Sequence, residues 1–269
     1  MMDTNLPGLH RFQTAAAYYL AGRPAYAALL IRHVALLAGL DRSHRVMDLG
    51  CGPGQLAIAF TPFAGEIVAV DPEPAMLHVA AQEAARAKAT VHFIEGSSAD
   101  LGPAFGAFRL AVMGRSFHWM DRARTLDQFD RLIEADGAIA LFGDGHPELP
   151  ENDWQLPFRD IIRRYSADDE MWKARRSPDW LRNEPILLAS AFPSLERVTV
   201  IERRQTPVER FVDRAFSMSI TSPGRLGAEK AAELAREIGE LMTSHATDGK
   251  VTEIVESAAL IARRSMPPD

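Results

Sequence analysis

The chain has 269 residues, of which 47% are hydrophobic and 25% are charged. A chain of this size buries one large core, so we expect one α/β domain elaborated by a lid rather than two equal domains. The formal net charge of −6 leaves no excess of positive charge to neutralise a phosphate backbone, which argues against nucleic acid as the partner.

Cysteine content and hydropathy exclude further classes of protein. Cys51 is the single cysteine, so an internal disulfide and a cysteine-based metal cluster are excluded, and we expect no metal. The N-terminal residues lack a basic start followed by an apolar signal core, and no run approaches the ~18 apolar residues of a membrane span. We therefore expect a cytoplasmic protein with no membrane partner.

The elements of the N-terminal half alternate between helices and strands. Apolar residues at helical spacing predict a helix over residues 25–40, and Gly39 is a helix-stop signal. Short apolar runs then recur at intervals of roughly 20 to 30 residues, the rhythm of parallel βαβ units. The runs are RVMDL, EIVAV, VHFIE, RLAVM and AIALF, and the predicted intervening helices are 55–60, 74–89 and 122–132.

The rhythm breaks after Phe142, in a stretch rich in Pro, Trp and Arg that we interpret as a helical lid insertion. Strand-like runs at 197–203 and 258–263 flank a helical region containing 228–244, so the sheet resumes there. The predicted fold is a doubly wound, mostly parallel seven-stranded sheet. Its predicted parts are an α/β core with N-terminal helices (1–142), a lid for substrate (143–195) and C-terminal strands with a helical cap segment (196–269).

A glycine loop, DLGCGPGQ, joins the first strand to its helix. Glycines let the backbone turn sharply and approach a ligand, and the ligand crevice of an open α/β sheet lies at the carboxyl ends of its strands. A dinucleotide fingerprint would place its third glycine at position 55, but Gln55 stands there. A tight turn with no ligand is the structural alternative.

Asp71 ends the second predicted strand, where a carboxylate can accept hydrogen bonds from both hydroxyls of a ribose. A ribose-containing cofactor is therefore implied. By itself, Asp71 is also compatible with a turn or helix N-cap role.

The segments VMDLGCGPG, VAVDPEPAML and FIEGSSADL resemble the successive cofactor motifs of class I S-adenosylmethionine-dependent methyltransferases. MGRSFHWMD and YLAGRPAY resemble the small-molecule "type 11" or trans-aconitate-methyltransferase-like branch of that family. Together these segments fall within residues 19–142 and occur in the family's order. The resemblance implies S-adenosylmethionine as cofactor, S-adenosylhomocysteine as product and a small-molecule methyl acceptor.

The resemblance also implies residue roles. Gly50, Gly52 and Gly54 would form the floor under the methionine part of the cofactor, Asp71 would hold the ribose, and Asp48 would hold the loop and reach the cofactor amine. The full set of implied cofactor-binding residues is Tyr19, Arg23, Asp48, Gly50, Cys51, Gly52, Gly54, Gln55, Asp71, Pro72, Met76, Ser97, Ser98, Ala99 and Arg115.

Within that set, Pro72 and Met76 would pack near the adenine, whereas Ser98 and Ala99 would face its edge. Arg23 would pair with the cofactor carboxylate. The sequence departs from the family pattern twice: Ser97 or Ser98 stands where an Asp often meets the adenine amine, and Arg109 stands where the fourth strand usually opens with Asp.

Two histidines are candidate catalytic residues. His118 is a candidate general base that would take a proton from a hydroxyl or amine acceptor, and His146, after the fifth strand, is the runner-up. A role in packing is at least as consistent with the sequence around His118. A carboxylate acceptor would need no base. Trp119 is expected to pack against the sheet edge.

The insertion carries two further groups of residues with alternative roles. Its basic residues could bind an acidic substrate, but a solvated helix face paired with neighbouring acids is the favoured interpretation. Its aromatic residues could line a substrate pocket or form the lid's own core. The basic residues are Arg159, Arg163, Arg164, Lys173, Arg175 and Arg176, the acids are Asp160, Asp168, Asp169 and Glu170, and the aromatic residues are Trp154, Phe158, Trp172 and Trp180.

The predicted function is methyl transfer from S-adenosylmethionine to an oxygen or nitrogen of a small molecule, with a carboxylate among the acceptors considered. Three alternatives stay open: other chemistry on the same cofactor such as cyclisation, a nicotinamide-dependent oxidoreductase, and a non-catalytic binding protein. Oligomeric state is not predicted.

Overall fold

A computed structural model describes residues 14–166, 169–175 and 177–265, without the side chains of Met171 and Trp172. The strands are β1 (Arg45–Leu49), β2 (Glu66–Asp71), β3 (His92–Glu95), β4 (Phe108–Gly114), β5 (Ile133–Gly145), β6 (Ser194–Pro207), β7 (Ala246–Thr247) and β8 (Lys250–Arg263). The helices are α1 (Ala16–Gly22), α2 (Ala28–Leu37), α3 (Gln55–Phe60), α4 (Pro74–Ala87), α5 (Arg122–Leu132), α6 (Gln155–Tyr165), α7 (Glu170–Arg175), α8 (Asn183–Leu188), α9 (Val208–Phe216), α10 (Pro223–Leu226) and α11 (Ala228–Ser244).

The strands form one sheet in the order β3-β2-β1-β4-β5-β8-β6. β1 to β5 pair in parallel, whereas β8 is antiparallel to both β5 and β6. The predicted doubly wound, mostly parallel sheet is confirmed. The two-residue β7 adds an eighth strand by pairing with β8, across Asp248 and Gly249, which both have positive φ as a tight hairpin turn requires.

Alternate residues of the central strands face opposite sides of the sheet and bury two apolar layers. Val46 and Leu110 pack on one side with α2 and α3, whereas Met47 and Ala111 pack on the other with α5 and α8. Strands covered on both faces are typical of parallel sheets, and the continuous apolar runs of the sequence follow from this double burial.

The C-terminal strands are longer than their apolar runs. β6 and β8 pair along their full length, from Ser194 with Arg263 to Pro207 with Lys250. β6 alternates exposed and half-buried residues because it is the sheet edge. Its charged residues therefore conceal its extent from an analysis of hydropathy alone.

A third apolar cluster forms a helical cap. Trp154, Phe158 and Ile161 from α6 pack with Phe211 from α9 and Leu234 from α11. The cap core therefore combines the insertion after β5 with helices inserted between β6 and β8. In the described part of the chain, no helix is long and apolar enough to cross a membrane.

Candidate functional site

The glycine loop lies at the carboxyl end of β1, next to β4, where the strand order reverses. Gly50 has φ of 68°, and a Cβ there would lie 2.6 Å from the Ser116 Cβ. Gly52 has φ of 52° and open space where its Cβ would be. Gly54, with φ of 80°, precedes the first turn of α3. The loop thus needs glycine for its backbone conformation at all three positions, and at Gly50 for space as well.

Asp71 fastens this loop to the end of β2. Its Oδ2 accepts a hydrogen bond from the Gly52 amide at 2.8 Å, and its Oδ1 accepts one from the Glu73 amide at 2.9 Å. Burial raises the pKa of Asp71. Each oxygen keeps a further lone pair for another donor.

Asp48 lies beneath the loop and is 1% exposed. Its Oδ2 accepts a hydrogen bond from the Ala57 amide at 2.9 Å, but its Oδ1 is buried and has no hydrogen-bond partner among the described residues. Burial raises the pKa of this carboxyl to about 7. A buried acceptor with no donor is costly unless a ligand supplies one.

A cavity above the loop brings together seven of the predicted cofactor residues. They share it with Tyr26, Pro53, Leu56 and Gly114, which the sequence-based prediction did not include. The seven are Tyr19, Asp48, Gly50, Cys51, Gly52, Gln55 and Arg115.

Arg115 follows β4 and ties the N-terminal segment to the cavity. It has φ of 58°, pairs with Asp144 at the end of β5 and donates to the Pro24 carbonyl at 2.8 Å and to Gln55 Oε1 at 3.3 Å. Its guanidinium carbon lies 4.5 Å from the centre of the Tyr26 ring. Tyr26 and Asp144 were missed as site residues, although Tyr26 belongs to the quoted YLAGRPAY motif.

Arg23 lies at the C-terminal end of α1. Its guanidinium carbon is 5.7 Å from the centre of the Tyr19 ring, and its Nε is buried with no hydrogen-bond partner in the described part of the chain. Burial lowers the pKa of this guanidinium, and an anion beside it would offset that cost.

The residues predicted to meet the adenine flank Asp71. Pro72 and the buried Met76 follow β2, and the Gly96 amide donates to the Asp71 carbonyl at 3.1 Å, which sets the segment of Ser97, Ser98 and Ala99 beside them. Ser97 Oγ accepts from the Ala99 amide at 3.2 Å and donates to Asp100 Oδ2 at 2.8 Å. Ser97 therefore caps its own turn.

His118 lies in a short 3-10 turn, Phe117–Trp119, after β4. Ser116 anchors the turn by donating to the Leu49 carbonyl at 2.8 Å. Burial lowers the pKa of His118 to about 3, with further lowering by the charges of Arg175, Arg23 and Arg122. His118 is therefore a neutral imidazole at physiological pH.

His146 lies in a separate buried network. Its Nε2 is 2.8 Å from Glu253 Oε2, and the same carboxylate receives two hydrogen bonds from Arg214, at 2.9 and 3.1 Å. Arg214 also donates to the Gly22 carbonyl at 3.2 Å. The network joins α1, α9 and β8, and nothing in the local sequence predicted it.

Three of the basic residues in the insertion form ion pairs with acidic residues. Arg163 pairs with Asp160 at 3.0 Å and Lys173 with Glu170 at 2.8 Å, both on exposed surface, as the favoured interpretation expected. Arg164 likewise pairs with Glu237. Arg175 has no such pair among the described residues, and Asp168, Arg176 and the Trp172 side chain lie outside the described part.

Trp154 and Phe158 belong to the cap core, with ring centres 5.9 Å apart. Trp180 instead packs under Arg122, 4.5 Å from its guanidinium carbon. Arg109 pairs with Glu134 at 3.2 Å near the start of β4, at the end of the sheet opposite the glycine loop.

The unpartnered atoms fit an α-amino acid that carries a ribose. Asp48 Oδ1 can accept from an ammonium group, the Arg23 Nε can donate to a carboxylate, and the backbone at Gly52 leaves room for close approach. The methionine and ribose parts of S-adenosylmethionine carry these groups.

Comparisons with known proteins agree. A model of the methyltransferase domain matches residues 46–137. The chain is 26% identical over 217 residues to an uncharacterized methyltransferase of Mycobacterium tuberculosis, covering 80% of each chain. The matched segment is a methyltransferase domain, and the chain is similar in sequence and fold to S-adenosylmethionine-dependent methyltransferases. Its cofactor is S-adenosylmethionine, whereas the predicted branch within the family stays a prediction.

Two further relatives align with a smaller share of this chain. The methyltransferase is 28% identical over 188 residues to malonyl-[acyl-carrier protein] O-methyltransferase of Pseudescherichia vulneris, covering 64% of this chain and 72% of the relative. It is 26% identical over 137 residues to a probable S-adenosylmethionine-dependent methyltransferase of Saccharomyces cerevisiae, of which it covers 47%.

The fold is also that of solved methyltransferases. An S-adenosylmethionine-dependent methyltransferase from Thiobacillus denitrificans superposes with a TM-score of 0.54 at 15% identity, covering 94% of this chain and 97% of the other.

Proposed function

We propose that the methyltransferase transfers the methyl group of S-adenosylmethionine to a carboxylate oxygen of a small-molecule acceptor. The observation that carries this proposal is the pKa of His118, held at about 3 by burial and by three arginines. A histidine with a pKa of about 3 binds a proton weakly. It is therefore a poor acceptor for the proton of a hydroxyl or ammonium group.

Two titratable residues that line the cavity, Tyr26 and Asp48, do not supply a base in place of His118. Burial raises the pKa of Tyr26 far above its ordinary value, and Asp48 lies beneath the glycine loop with its free oxygen available to the cofactor amine. A carboxylate arrives already ionised and needs no proton removed. The acceptor that suits this set of residues is therefore an acid.

The protein's own contribution is positioning. Asp71 holds the ribose hydroxyls, the backbone at Gly50, Gly52 and Gly54 supports the methionine part, Asp48 accepts from its ammonium and Arg23 meets its carboxylate. The bound cofactor supplies a methyl group already activated by the sulfonium. Aligning an acceptor oxygen with it and excluding water lowers the barrier by roughly 7 to 11 kcal/mol.

Two further assignments belong to this proposal. Residues Pro72, Met76, Ser98 and Ala99 surround the adenine, and the segment 143–195 acts with α9 and α11 as the cap over the acceptor. The likeness to a malonyl-[acyl-carrier protein] O-methyltransferase supports an oxygen acceptor.

The test is a competition among matched acceptors. The purified protein is incubated with S-adenosylmethionine labelled in the methyl group, and with hexanoate, adipate, hexanol and hexylamine, and products are separated by mass spectrometry. We expect methyl esters, which mild alkali hydrolyses back to the acids. Methylation of the amine or alcohol with no ester would overturn the proposal.

A further inference from the structure

The hydroxyl of Tyr26 is a polar group at the cavity for which the cofactor assignments above have no use. Tyr26 lines the cavity above the glycine loop together with Gly114, the last residue of β4. Its Oη is buried and has no hydrogen-bond partner among the described residues. Burial of a hydroxyl without a partner costs free energy. A ligand that brings a hydrogen-bond acceptor into the cavity would remove this cost.

The Tyr26 ring is held by contacts on two sides. The Phe142 ring meets it edge-on, with ring centres 5.4 Å apart, and the Arg115 guanidinium carbon lies 4.5 Å from its centre. A Cβ at Gly114 would lie 2.9 Å from the Tyr26 Oη, so the absence of a side chain there makes room for the hydroxyl. The hydroxyl is therefore preorganised, and a preorganised donor binds a ligand at a lower entropy cost than a mobile one.

The cofactor has other partners for its polar groups. In the proposed site its ammonium meets Asp48, its carboxylate meets Arg23 and its ribose hydroxyls meet Asp71. The positively charged sulfonium and its methyl group are poor partners for an O–H donor. Burial raises the pKa of Tyr26, so the hydroxyl keeps its proton and can donate it in a hydrogen bond. The remaining partner is the molecule that receives the methyl group.

We propose that the Tyr26 hydroxyl donates a hydrogen bond to one oxygen of the acceptor carboxylate and leaves the other oxygen free to attack the methyl group. This rests on the proposed function. The free oxygen forms the new O–CH₃ bond as the S–CH₃ bond breaks, the electron pair of the broken bond stays on sulfur, and no proton is transferred. The oxygen held by Tyr26 becomes the carbonyl oxygen of the ester.

This contact favours a carboxylate over an amine. A carboxylate has two equivalent oxygens, so one can be held while the other reacts. In an amine the hydroxyl would occupy the lone pair that has to attack the methyl group. The contact also favours release of the product, because a hydrogen bond to an ionised oxygen is stronger than one to a neutral ester carbonyl.

The experiment removes the hydroxyl and keeps the ring. Tyr26→Phe retains the contacts of the ring with Phe142 and Arg115. Tyr18→Phe is the matched control, because Tyr18 packs against Phe216 of the cap core, with ring centres 5.2 Å apart. Binding of hexanoate and of adipate to the protein saturated with S-adenosylhomocysteine is measured by calorimetry. The kcat/KM of ester formation from S-adenosylmethionine is measured separately, and thermal unfolding checks that each variant folds.

We expect Tyr26→Phe to raise the Kd of the acids by about tenfold to one-hundredfold and to lower kcat/KM by a similar factor. The Kd of S-adenosylhomocysteine should stay within about twofold of the wild type, because the cofactor is held by other residues. Tyr18→Phe should match the wild type in each measurement.

Acid binding that Tyr26→Phe leaves unchanged, or acids that bind to neither protein, would overturn the inference. Weaker binding of S-adenosylhomocysteine with unchanged binding of the acids would assign the hydroxyl to the cofactor and overturn it as well. Ester formation at the same kcat/KM in both proteins would overturn the role of Tyr26 and leave the proposed function standing. Binding of the acids that depends on Tyr26, without ester formation, would support the role of Tyr26 and overturn the proposed function.

Discussion

Replacing Asp71 with asparagine tests the cofactor site most quantitatively. The carboxylate accepts hydrogen bonds from the Gly52 and Glu73 amides, and it is proposed to accept two more from the ribose hydroxyls. An asparagine keeps one acceptor oxygen, removes the charge and places an NH₂ group against one of these donors. The cofactor therefore loses at least one charge-assisted hydrogen bond.

A hydrogen bond to a charged group contributes about 1.5–3 kcal/mol, and its loss weakens binding by roughly tenfold to more than one-hundredfold. We expect the Kd of S-adenosylhomocysteine to rise by that factor in Asp71→Asn. The assay is isothermal titration calorimetry, with NADH as a second ligand that should not bind to either protein.

Asp127→Asn is the control, because Asp127 is an exposed carboxylate of α5. Its Kd should match that of the wild type. Thermal unfolding separates lost contacts from a disordered loop, since Asp71 also holds Gly52. An Asp71→Asn variant that folds normally and binds S-adenosylhomocysteine within twofold of the wild type would refute the ribose role.

Further predictions follow from the same contacts. Gly50→Ala should destabilise the fold by about 1–3 kcal/mol in urea denaturation, because the new Cβ meets Ser116; an unchanged midpoint would contradict this. Glu253→Gln should lower stability by about 3–5 kcal/mol by leaving the buried Arg214 charge uncompensated, whereas loss of an exposed pair would cost under 1 kcal/mol. Because burial raises the pKa of Asp48 from 3.8 to about 7, the folded state keeps a proton that the unfolded chain releases across that interval. Stability of the wild type should therefore fall between about pH 4 and pH 7, by up to about 4 kcal/mol from this group, and Asp48→Asn should flatten that slope in pH-dependent denaturation.

Much of the fold was predictable because its parallel strands are covered on both faces. Double burial makes each of the central parallel strands β1, β2, β4 and β5 contain a continuous apolar run. The edge strand β3 is mostly exposed, and of its residues only Phe93 is half-buried. The glycine loop and Asp71 were predictable for a related reason: a sharp turn and a terminal carboxylate leave a local signature.

The remaining features depend on contacts between residues distant in sequence. The Arg214–Glu253 pair joins positions 39 residues apart, and the arginines whose charges lower the pKa of His118 lie at the ends of three helices. The sequence motif around His118 therefore does not indicate the charges that lower its pKa. α1 was missed because its seven residues are too few for a periodic apolar face.

The hairpin between β7 and β8 did have a local signal. Asp248 and Gly249 form the dipeptide typical of a two-residue turn between paired strands. Apolar and polar residues alternate over too few positions beside this dipeptide to predict β7 itself.

The most direct test of the central claim is the pH dependence of kcat/KM for methylation of adipate. The protein is saturated with S-adenosylmethionine, so that the cofactor ammonium holds Asp48 ionised. If the acceptor arrives ionised and no protein base is needed, kcat/KM for adipate stays flat from about pH 6.5 to pH 8, because the acid is ionised and His118 is neutral throughout this range. A rise of tenfold per pH unit that ends in a plateau, and that disappears in His118→Gln, would show a histidine base at work and contradict the account.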